Sequence, residues 1–279
     1  MNAEPRPAPC RTRIGRAPTI SLSGVRIARV SYGGGISFGV IEGDQVAEID
    51  GPPIGELLFT GKRAPLADCR LLAPVIPSKV VAVGLNYRDH AEEMGQTLPE
   101  EPLIFLKPGT TVIGPNDAIR KPPECQRLDH EGELAVVVGG LVRNADRAVA
   151  AEAILGYTVG NDVTARDLQI KDIQWTRGKG FDTFCPLGPW IETDADAGSL
   201  DLEVRVNGKV RQRSNTKNLI FDPPALVSFI SGVMTLLPGD VILTGTPSGV
   251  GPMEPGDSCE IEISGIGVLA NSVAAASVA

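Results

Sequence analysis

Aromatic residues, histidine and cysteine are all scarce in this chain of 279 residues. Aromatic side chains make up 4% of the sequence, and histidine occurs twice. The five cysteines are scattered without a C-x-x-C pair, which favours reduced thiols in the cytoplasm over disulfides or a zinc site. Because no apolar stretch approaches the ~18 residues of a membrane span, we expect no membrane attachment.

Positive charge is also in the minority. The chain has 26 lysines and arginines against 34 aspartates and glutamates, for a net charge of −8 at pH 7. Nucleic-acid binding requires a basic surface, so we expect no nucleic-acid partner. A small acidic substrate would need a local cation to attract it.

The chain divides by composition into three parts. Residues 1–20 mix arginine and proline without the apolar segment of a secretory signal, which predicts a disordered tail. Residues 21–75 alternate short β-type runs with tight turns, which predicts a small β-rich N-terminal domain in which 54–60 is a candidate helix. Residues 76–279 form the larger predicted domain.

The larger part is dominated by short apolar runs. These predict strands at 80–83, 103–105, 134–138, 154–159, 202–206 and 241–243. Helical patterns are confined to 146–153, 164–173 and 223–236. Many strands and few helices predict a β-rich α+β fold and not a doubly wound sheet.

Two acidic residues in this part share a strand face. Glu131 and Glu133 stand in D-H-E-G-E-L, at the head of the β-branched run 134–138. Side chains at i and i+2 of a strand point the same way, so the two carboxylates would repel each other and be costly to bury. A divalent cation removes both problems, and oxygen ligands suit Mg²⁺, Mn²⁺ or Ca²⁺.

A third ligand has one good candidate. Asp162 follows the apolar run 154–159, at the predicted end of a strand. Taken alone it is better explained as a helix cap, a role for which Thr164 competes. Beside Glu131 and Glu133, a ligand role gains weight.

His90 lies shortly after the predicted strand 80–83, with Glu93 three residues later. On a short helix the two would share a face. A carboxylate beside an imidazole raises its basicity, which suits the activation of water. A lone H-x-x-E match is, however, most often a solvated helix turn.

The segment 174–189 combines two cations, three aromatic residues and several glycines and prolines. Lys179 lies between two glycines there, which would let it approach an anionic oxygen closely. This composition is difficult to explain as core or as an ordinary loop.

The segment 243–252 is rich in turn residues and follows a predicted strand. Its hydroxyls, including that of Thr246, and its backbone N–H groups could cradle a carboxylate. The alternative is a plain cluster of turns.

Together these segments resemble the fumarylacetoacetate hydrolase family. The resemblance runs from about 80 to 273 and rests on several ordered motifs. They are G-L-N-Y-R-D-H-A-E-E-M, F-L-K-P, D-H-E-G-E-L-A-V-V, G-Y-T-V-G-N-D-V-T-A-R-D, R-G-K-G-F-D-T-F-C-P-L-G-P and L-P-G-D-V-I-L-T-G-T-P-S-G-V-G-P. The N-terminal strands resemble the small leading domain of many bacterial members.

The resemblance implies a role for each candidate residue. The implied ligands of Mg²⁺ or Mn²⁺ are Glu131, Glu133 and Asp162. The implied catalytic residues are the water-activating pair His90 and Glu93, with Lys179 stabilising an enolate or oxyanion. The implied substrate contacts are Arg166, Gln169 and Thr246. The family also implies a mixed β-sandwich roll for the catalytic domain and a homodimer.

The implied substrate is a small 2-oxo acid chelated through its carboxylate and oxo groups. Metal-dependent C–C bond cleavage through a metal-bound enolate would then hydrolyse an acylpyruvate or fumarylacetoacetate, or decarboxylate oxaloacetate. Proton transfer alone would give isomerisation or keto–enol tautomerisation.

Three functions therefore remain open. Both His90 and Glu93 are present, which favours cleavage. The sequence of residues 174–186 resembles that of bacterial members named 2-hydroxyhepta-2,4-diene-1,7-dioate isomerase, which belong to aromatic catabolism. This resemblance favours isomerisation. A non-catalytic metal- or metabolite-binding protein is the third possibility, and it has no need for His90, Glu93 and Lys179.

Overall fold

The computed structural model of the protein describes residues 24–89, 95 and 97–276. The prediction of a disordered tail at 1–20 falls outside these residues.

Strands form most of the described secondary structure. Those of the first half are β1 (Arg26–Tyr32), β2 (Gly35–Glu42), β3 (Gln45–Ile49), β4 (Phe59–Pro65), β5 (Arg70–Leu72), β6 (Val80–Gly84), β7 (Leu103–Lys107), β8 (Val112–Ile113), β9 (Ala118–Lys121), β10 (Leu128–His130) and β11 (Gly132–Val138). Those of the second half are β12 (Ile154–Asn161), β13 (Thr164–Ala165), β14 (Cys185–Glu192), β15 (Asp201–Val206), β16 (Lys209–Asn215), β17 (Val241–Leu243), β18 (Gly251–Met253), β19 (Ser258–Ile263) and β20 (Gly267–Ala275).

Helices are short by comparison. They are α1 (Arg147–Glu152), α2 (Arg166–Asp172), α3 (Thr176–Lys179) and α4 (Pro223–Val233), with 3₁₀ turns at Leu66–Asp68, Gly109–Thr111 and Thr216–Asn218. Among the described residues, none of these helices has the length and apolar character that a membrane span requires. The predicted β-rich α+β class is confirmed.

The strands form three sheets. The largest runs in the order β4-β3-β2-β1-β14-β12-β11-β17-β6-β7, with β5 added on β1 and β8 on β14. A second has the order β16-β15-β19-β20-β9, and a third the order β13-β10-β18. Because β1 pairs with β14, one sheet crosses the predicted boundary near residue 75, and the division into two domains stays a prediction.

Strand β11 lies at the centre of the large sheet and is buried along its whole length. Ala135 and Val137 pack into one hydrophobic cluster, whereas Val136 and Val138 pack into another that includes Leu226 of α4. A strand covered on both faces needs apolar residues at every position, which explains its unbroken apolar sequence. The strand that carries Glu133 is therefore held rigidly.

The predicted strands at 80–83, 103–105, 134–138, 154–159, 202–206 and 241–243 are all present. The helix predicted at 146–153 is also present as α1, and Asp146 caps it by accepting from the N–H groups of Ala148 and Val149. The helix predicted at 223–236 is α4, which ends at Val233.

Two helix predictions need correction. Residues 54–60 form no helix, because the segment bends and Phe59 then pairs with Ile49 to begin β4. The helix predicted at 164–173 begins only at Arg166, since Thr164 pairs with Asp129 in a short sheet. Neither Asp162 nor Thr164 caps it, for the residue at its N-cap is Ala165.

Candidate active site

The three predicted metal ligands converge at the end of two neighbouring strands. Glu131 precedes β11, Glu133 lies within it, and Asp162 follows β12, its antiparallel neighbour. One carboxylate oxygen from each residue lies within 4.8 Å of the others. Their side chains are all buried, so three acidic groups share one small volume.

Glycine is required between the two glutamates. A Cβ atom at Gly132 would lie 2.3 Å from Cγ2 of Val204 and 3.2 Å from Cγ2 of Ile261. These residues belong to the five-stranded sheet that packs here. Any side chain at Gly132 would push the two sheets apart and displace both carboxylates.

Two buried lysines neutralise part of this charge. Nζ of Lys179 donates to Oε2 of Glu131 at 2.8 Å and to Oδ2 of Asp162 at 2.5 Å. Nζ of Lys107 donates to Oδ1 of Asp162 and to the carbonyl of Val163 at 3.2 Å. Both carboxylate oxygens of Asp162 thus accept from ammonium groups.

Arg166 is the first residue of α2, and its side chain reaches the same site. Its Nε donates to Asp129 at 2.9 Å, its Nη2 to Oε1 of Glu131 at 2.5 Å and its Nη1 to Oε1 of Gln169 at 2.7 Å. These contacts use three of its five N–H donors. Among the described residues, nothing accepts from the amide N–H groups of Gln169, which lines the cavity.

Glu133 differs from the other two carboxylates. It accepts from the backbone N–H of Gly245 at 2.6 Å but forms no ion pair with any residue that the structure describes. Burial and then the charges of Asp162 and Glu131 raise its pKa well above the ordinary value. Burial would likewise raise the pKa of Glu131, but Lys179 and Arg166 outweigh it and hold that pKa below its ordinary value.

A divalent cation fits this donor set. All three groups are hard oxygen ligands, which are the ones that Mg²⁺, Mn²⁺ and Ca²⁺ select. Each carboxylate has about four lone-pair sites, so Glu131 and Asp162 can bind an ion while keeping their bonds to Lys179. An ion would also supply the counter-charge that Glu133 lacks.

Thr246 lies in the loop after β17 at the wall of the site. Its hydroxyl donates to the carbonyl of Gly132 at 2.9 Å and accepts from Nε2 of Gln212 at 2.8 Å. The hydroxyl therefore bonds to the protein on two sides.

These side chains open onto a cavity of about 370 Å³. All the predicted site residues that the structure describes line it. Another part of its wall is apolar and consists of Leu103, Phe105, Ile170 and Trp175. The rings of Phe105 and Trp175 meet edge to face at 5.0 Å, and Nζ of Lys179 lies 5.1 Å from the Phe105 ring.

His90 and Glu93 lie outside the described residues, so their predicted pairing stays a prediction. Sequence reasoning assigned no role to Lys107, Asp129 or Gln212, all of which contact site residues. The sequence does contain a signal for Lys107, because a lysine at the end of the apolar strand in F-L-K-P indicates a role other than packing. Gln212 stands between two arginines and gave no such clue.

His130, next to Glu131, is fully buried. Its Nδ1 lies 3.1 Å from Oε1 of Gln212, and its Nε2 has no hydrogen-bond partner among the described residues. Burial lowers its pKa, against the opposing effects of the bond to Gln212 and of nearby Asp129. Because the amide oxygen of Gln212 can only accept, Nδ1 is the ring nitrogen that carries a proton in this contact.

Two protein-family models match the chain. Residues 79–274 match the family described as fumarylacetoacetate (FAA) hydrolase C-terminal, and residues 25–74 match one described as Rv2993c-like, N-terminal. A mitochondrial oxaloacetate tautomerase of Bos taurus is 45% identical over 222 residues, covering 75% of this chain and 71% of that protein.

Two crystal structures of similar proteins share the fold. That of a 5-carboxymethyl-2-hydroxymuconate delta-isomerase from Mycobacterium smegmatis has 54% identity and a TM-score of 0.86, and covers 90% of this chain and 100% of its own. That of a 2-hydroxyhepta-2,4-diene-1,7-dioate isomerase from Mycobacterium marinum has 50% identity and a TM-score of 0.85, and covers 90% and 98%. The chain is thus an enzyme of the fumarylacetoacetate hydrolase family.

Proposed function

We propose that this enzyme uses a divalent cation to isomerise or tautomerise a small 2-oxo acid through its enolate. The observation that carries the proposal is the buried cluster of Glu131, Glu133 and Asp162, which is bridged by Lys179 and opens onto a cavity.

The three carboxylates would hold Mg²⁺ or Mn²⁺. When bound, such an ion supplies a Lewis acid that polarises the carboxylate and oxo groups of the substrate. The rigid position of β11 and the close packing at Gly132 would fix the two glutamates for that role.

Arg166 and Gln169 would orient the substrate's carboxylate. Arg166 keeps two N–H donors beyond those that it gives to Asp129, Glu131 and Gln169. The amide N–H groups of Gln169, which have no acceptor among the described residues, would be available beside them. A carboxylate that accepts from both residues would be held in one orientation.

Lys179 would stabilise the negative charge that develops in the reaction. Transfer of a proton from the carbon next to the oxo group to a general base would move the C–H electron pair into a new C=C bond, while the C=O π pair moves to oxygen and leaves an oxyanion. The ammonium group of Lys179 is buried and already oriented. A donor stabilises developing negative charge most strongly when it is fixed in place and shielded from water. Return of the proton to oxygen gives the enol, and its return to a conjugated carbon gives an isomer.

Isomerisation is favoured because similar proteins at 50% and 54% identity bear isomerase names and a third is named a tautomerase. Hydrolytic or decarboxylative C–C bond cleavage is the second candidate. Its support is the presence of both His90 and Glu93 in the sequence.

The test compares three reactions with Mg²⁺ and with EDTA. They are the enol-to-keto conversion of oxaloacetate, followed by ultraviolet absorbance, and pyruvate release from oxaloacetate and from an acylpyruvate. Metal-dependent tautomerisation without pyruvate is the expected result. Metal-dependent pyruvate release would establish cleavage instead, and equal rates with EDTA would overturn the metal-dependent proposal.

A further inference from the structure

We infer that Gln212 is a positioning residue that locks the metal-binding glutamates to the loop carrying Thr246. The expected effect on metal binding rests on the proposed function. The lock itself consists of hydrogen bonds between described residues. Gln212 is 1% exposed and does not line the cavity, so it acts through its neighbours.

The side-chain amide of Gln212 makes four contacts. Its Oε1 accepts from the backbone N–H of Gly132 at 3.0 Å and lies 3.1 Å from Nδ1 of His130. Its Nε2 donates to the hydroxyl of Thr246 and to the carbonyl of Pro247, each at 2.8 Å. Every hydrogen-bonding group of the amide is therefore used.

The partners fix which way the amide points. The backbone N–H of Gly132 is a donor, so it can bond only to the oxygen of the Gln212 amide. Pro247 presents a carbonyl, to which only the amide nitrogen can donate. Rotating the amide by half a turn would break both bonds, so the arrangement has a single orientation.

Thr246 closes the arrangement into a ring. Its hydroxyl accepts from Gln212 and donates to the carbonyl of Gly132. Gly132 is thus held through both its N–H and its carbonyl. Since Gly132 links Glu131 to Glu133, the ring fixes the separation of the two carboxylates.

The local backbone explains how Gln212 reaches this place. In the pairing of β15 with β16, Val204 faces Gln212 and Arg205 faces Val210, so Arg211 is an extra residue. Such a bulge re-aims the following side chain, and Gln212 is the one buried position of β16. The loop after β17 is also pressed onto this strand, since a Cβ at Gly249 would lie 2.2 Å from the carbonyl oxygen of Arg211.

The test replaces Gln212 with methionine, which has a similar shape but no hydrogen-bonding amide. The matched control is Asn271→Leu, because Asn271 is another buried amide that donates to two carbonyls, those of Gly114 and Asp117, away from the cavity. Two readouts are needed. Hydrogen exchange of the metal-free proteins reports on 128–138 and 244–252, and calorimetry with Mn²⁺ reports on the site.

We expect Gln212→Met to speed exchange in both segments and to weaken Mn²⁺ binding by about 10- to 100-fold, the range for residues that support ligands. Asn271→Leu should change neither. Unchanged exchange in Gln212→Met would overturn the lock. Faster exchange with wild-type Mn²⁺ affinity would overturn the positioning role.

A milder pair of variants covers the case in which Gln212→Met does not fold. Thr246→Val should speed exchange at 128–138, whereas Thr246→Ser, which keeps the hydroxyl, should not. Equal exchange in the two variants would contradict the ring. Failure of the wild-type protein to bind Mn²⁺ would be a failure of the proposed function, and it is seen without any variant.

Discussion

The backbone N–H of Asp162 donates to the carbonyl of Glu131 at 2.9 Å, so two predicted metal ligands are joined by the main chain itself. The bond continues the pairing of β11 with β12, in which Gly132 faces Asn161. The side chain of Asn161 also accepts from the N–H of Glu131 at 3.0 Å. The site is consequently an extension of the sheet and inherits its rigidity.

Glu133→Gln should abolish metal binding while leaving the fold intact. The amide keeps an oxygen for the N–H of Gly245 but loses the charge that an ion would neutralise. We expect Mn²⁺ affinity, measured by calorimetry, to fall by more than the roughly 10- to 100-fold typical of supporting residues. Circular dichroism should show wild-type secondary structure, and normal affinity would rule out this residue as a ligand.

Lys179→Met should separate catalysis from metal binding. Removing an ammonium from between Glu131 and Asp162 leaves more negative charge for an ion, so Mn²⁺ affinity should not fall. Turnover should drop by about 10²- to 10³-fold, as for the loss of one oxyanion donor. A parallel fall in Mn²⁺ affinity and turnover would mean that Lys179 merely supports the ligands.

Much of this site could be predicted from local sequence. Two glutamates at i and i+2 of a strand share a face wherever that strand lies, and Asp162 follows the next predicted strand. Only the pairing of those strands was needed to bring the three together. The same local logic predicted the helix at 146–153, which is present as α1.

What could not be predicted depends on distant pairings. Lys107 reaches Asp162 because β7 joins the far edge of the sheet through β6 and β17. Gln212 reaches Gly132 because of a bulge in a different sheet. The late start of α2 has a similar cause, since Thr164 bonds to another strand and not to its own helix. No local pattern specifies these partners.

Lys107→Met should destabilise the metal-free protein. Lys107 and Asp162 are both buried and paired, and removing one partner leaves a buried charge less compensated. We expect the free energy of unfolding to fall by on the order of 3 kcal/mol in urea titrations. Saturating Mn²⁺ should restore part of the loss, because the less compensated charge of Asp162 should make the variant bind the ion more tightly than the wild type, and stabilisation by a ligand grows with its affinity. An equal loss with and without Mn²⁺ would contradict a site at Asp162.

His90→Ala tests the pair that lies outside the described residues. If the enzyme cleaves C–C bonds with activated water, pyruvate release should fall by about a hundredfold, the scale of a general base. Tautomerisation of oxaloacetate should be much less affected, because it consumes no water. Glu93→Gln should show the same split, and unchanged rates in both variants would mean that the pair has no catalytic role.

The apolar wall of the cavity should favour 2-oxo acids with a longer hydrocarbon tail. Leu103, Phe105 and the ring carbons of Trp175 are apolar, so each added methylene in contact with them should contribute about 0.8 kcal/mol, or about fourfold in affinity. Competitive inhibition by straight-chain 2-oxo acids of two to four tail carbons measures this increment directly. Trp175→Ala should reduce it and Trp175→Phe should retain most of it, because the aromatic contact with Phe105 is kept in only the second variant. Inhibition constants that do not change with tail length would show that the tail points away from this wall.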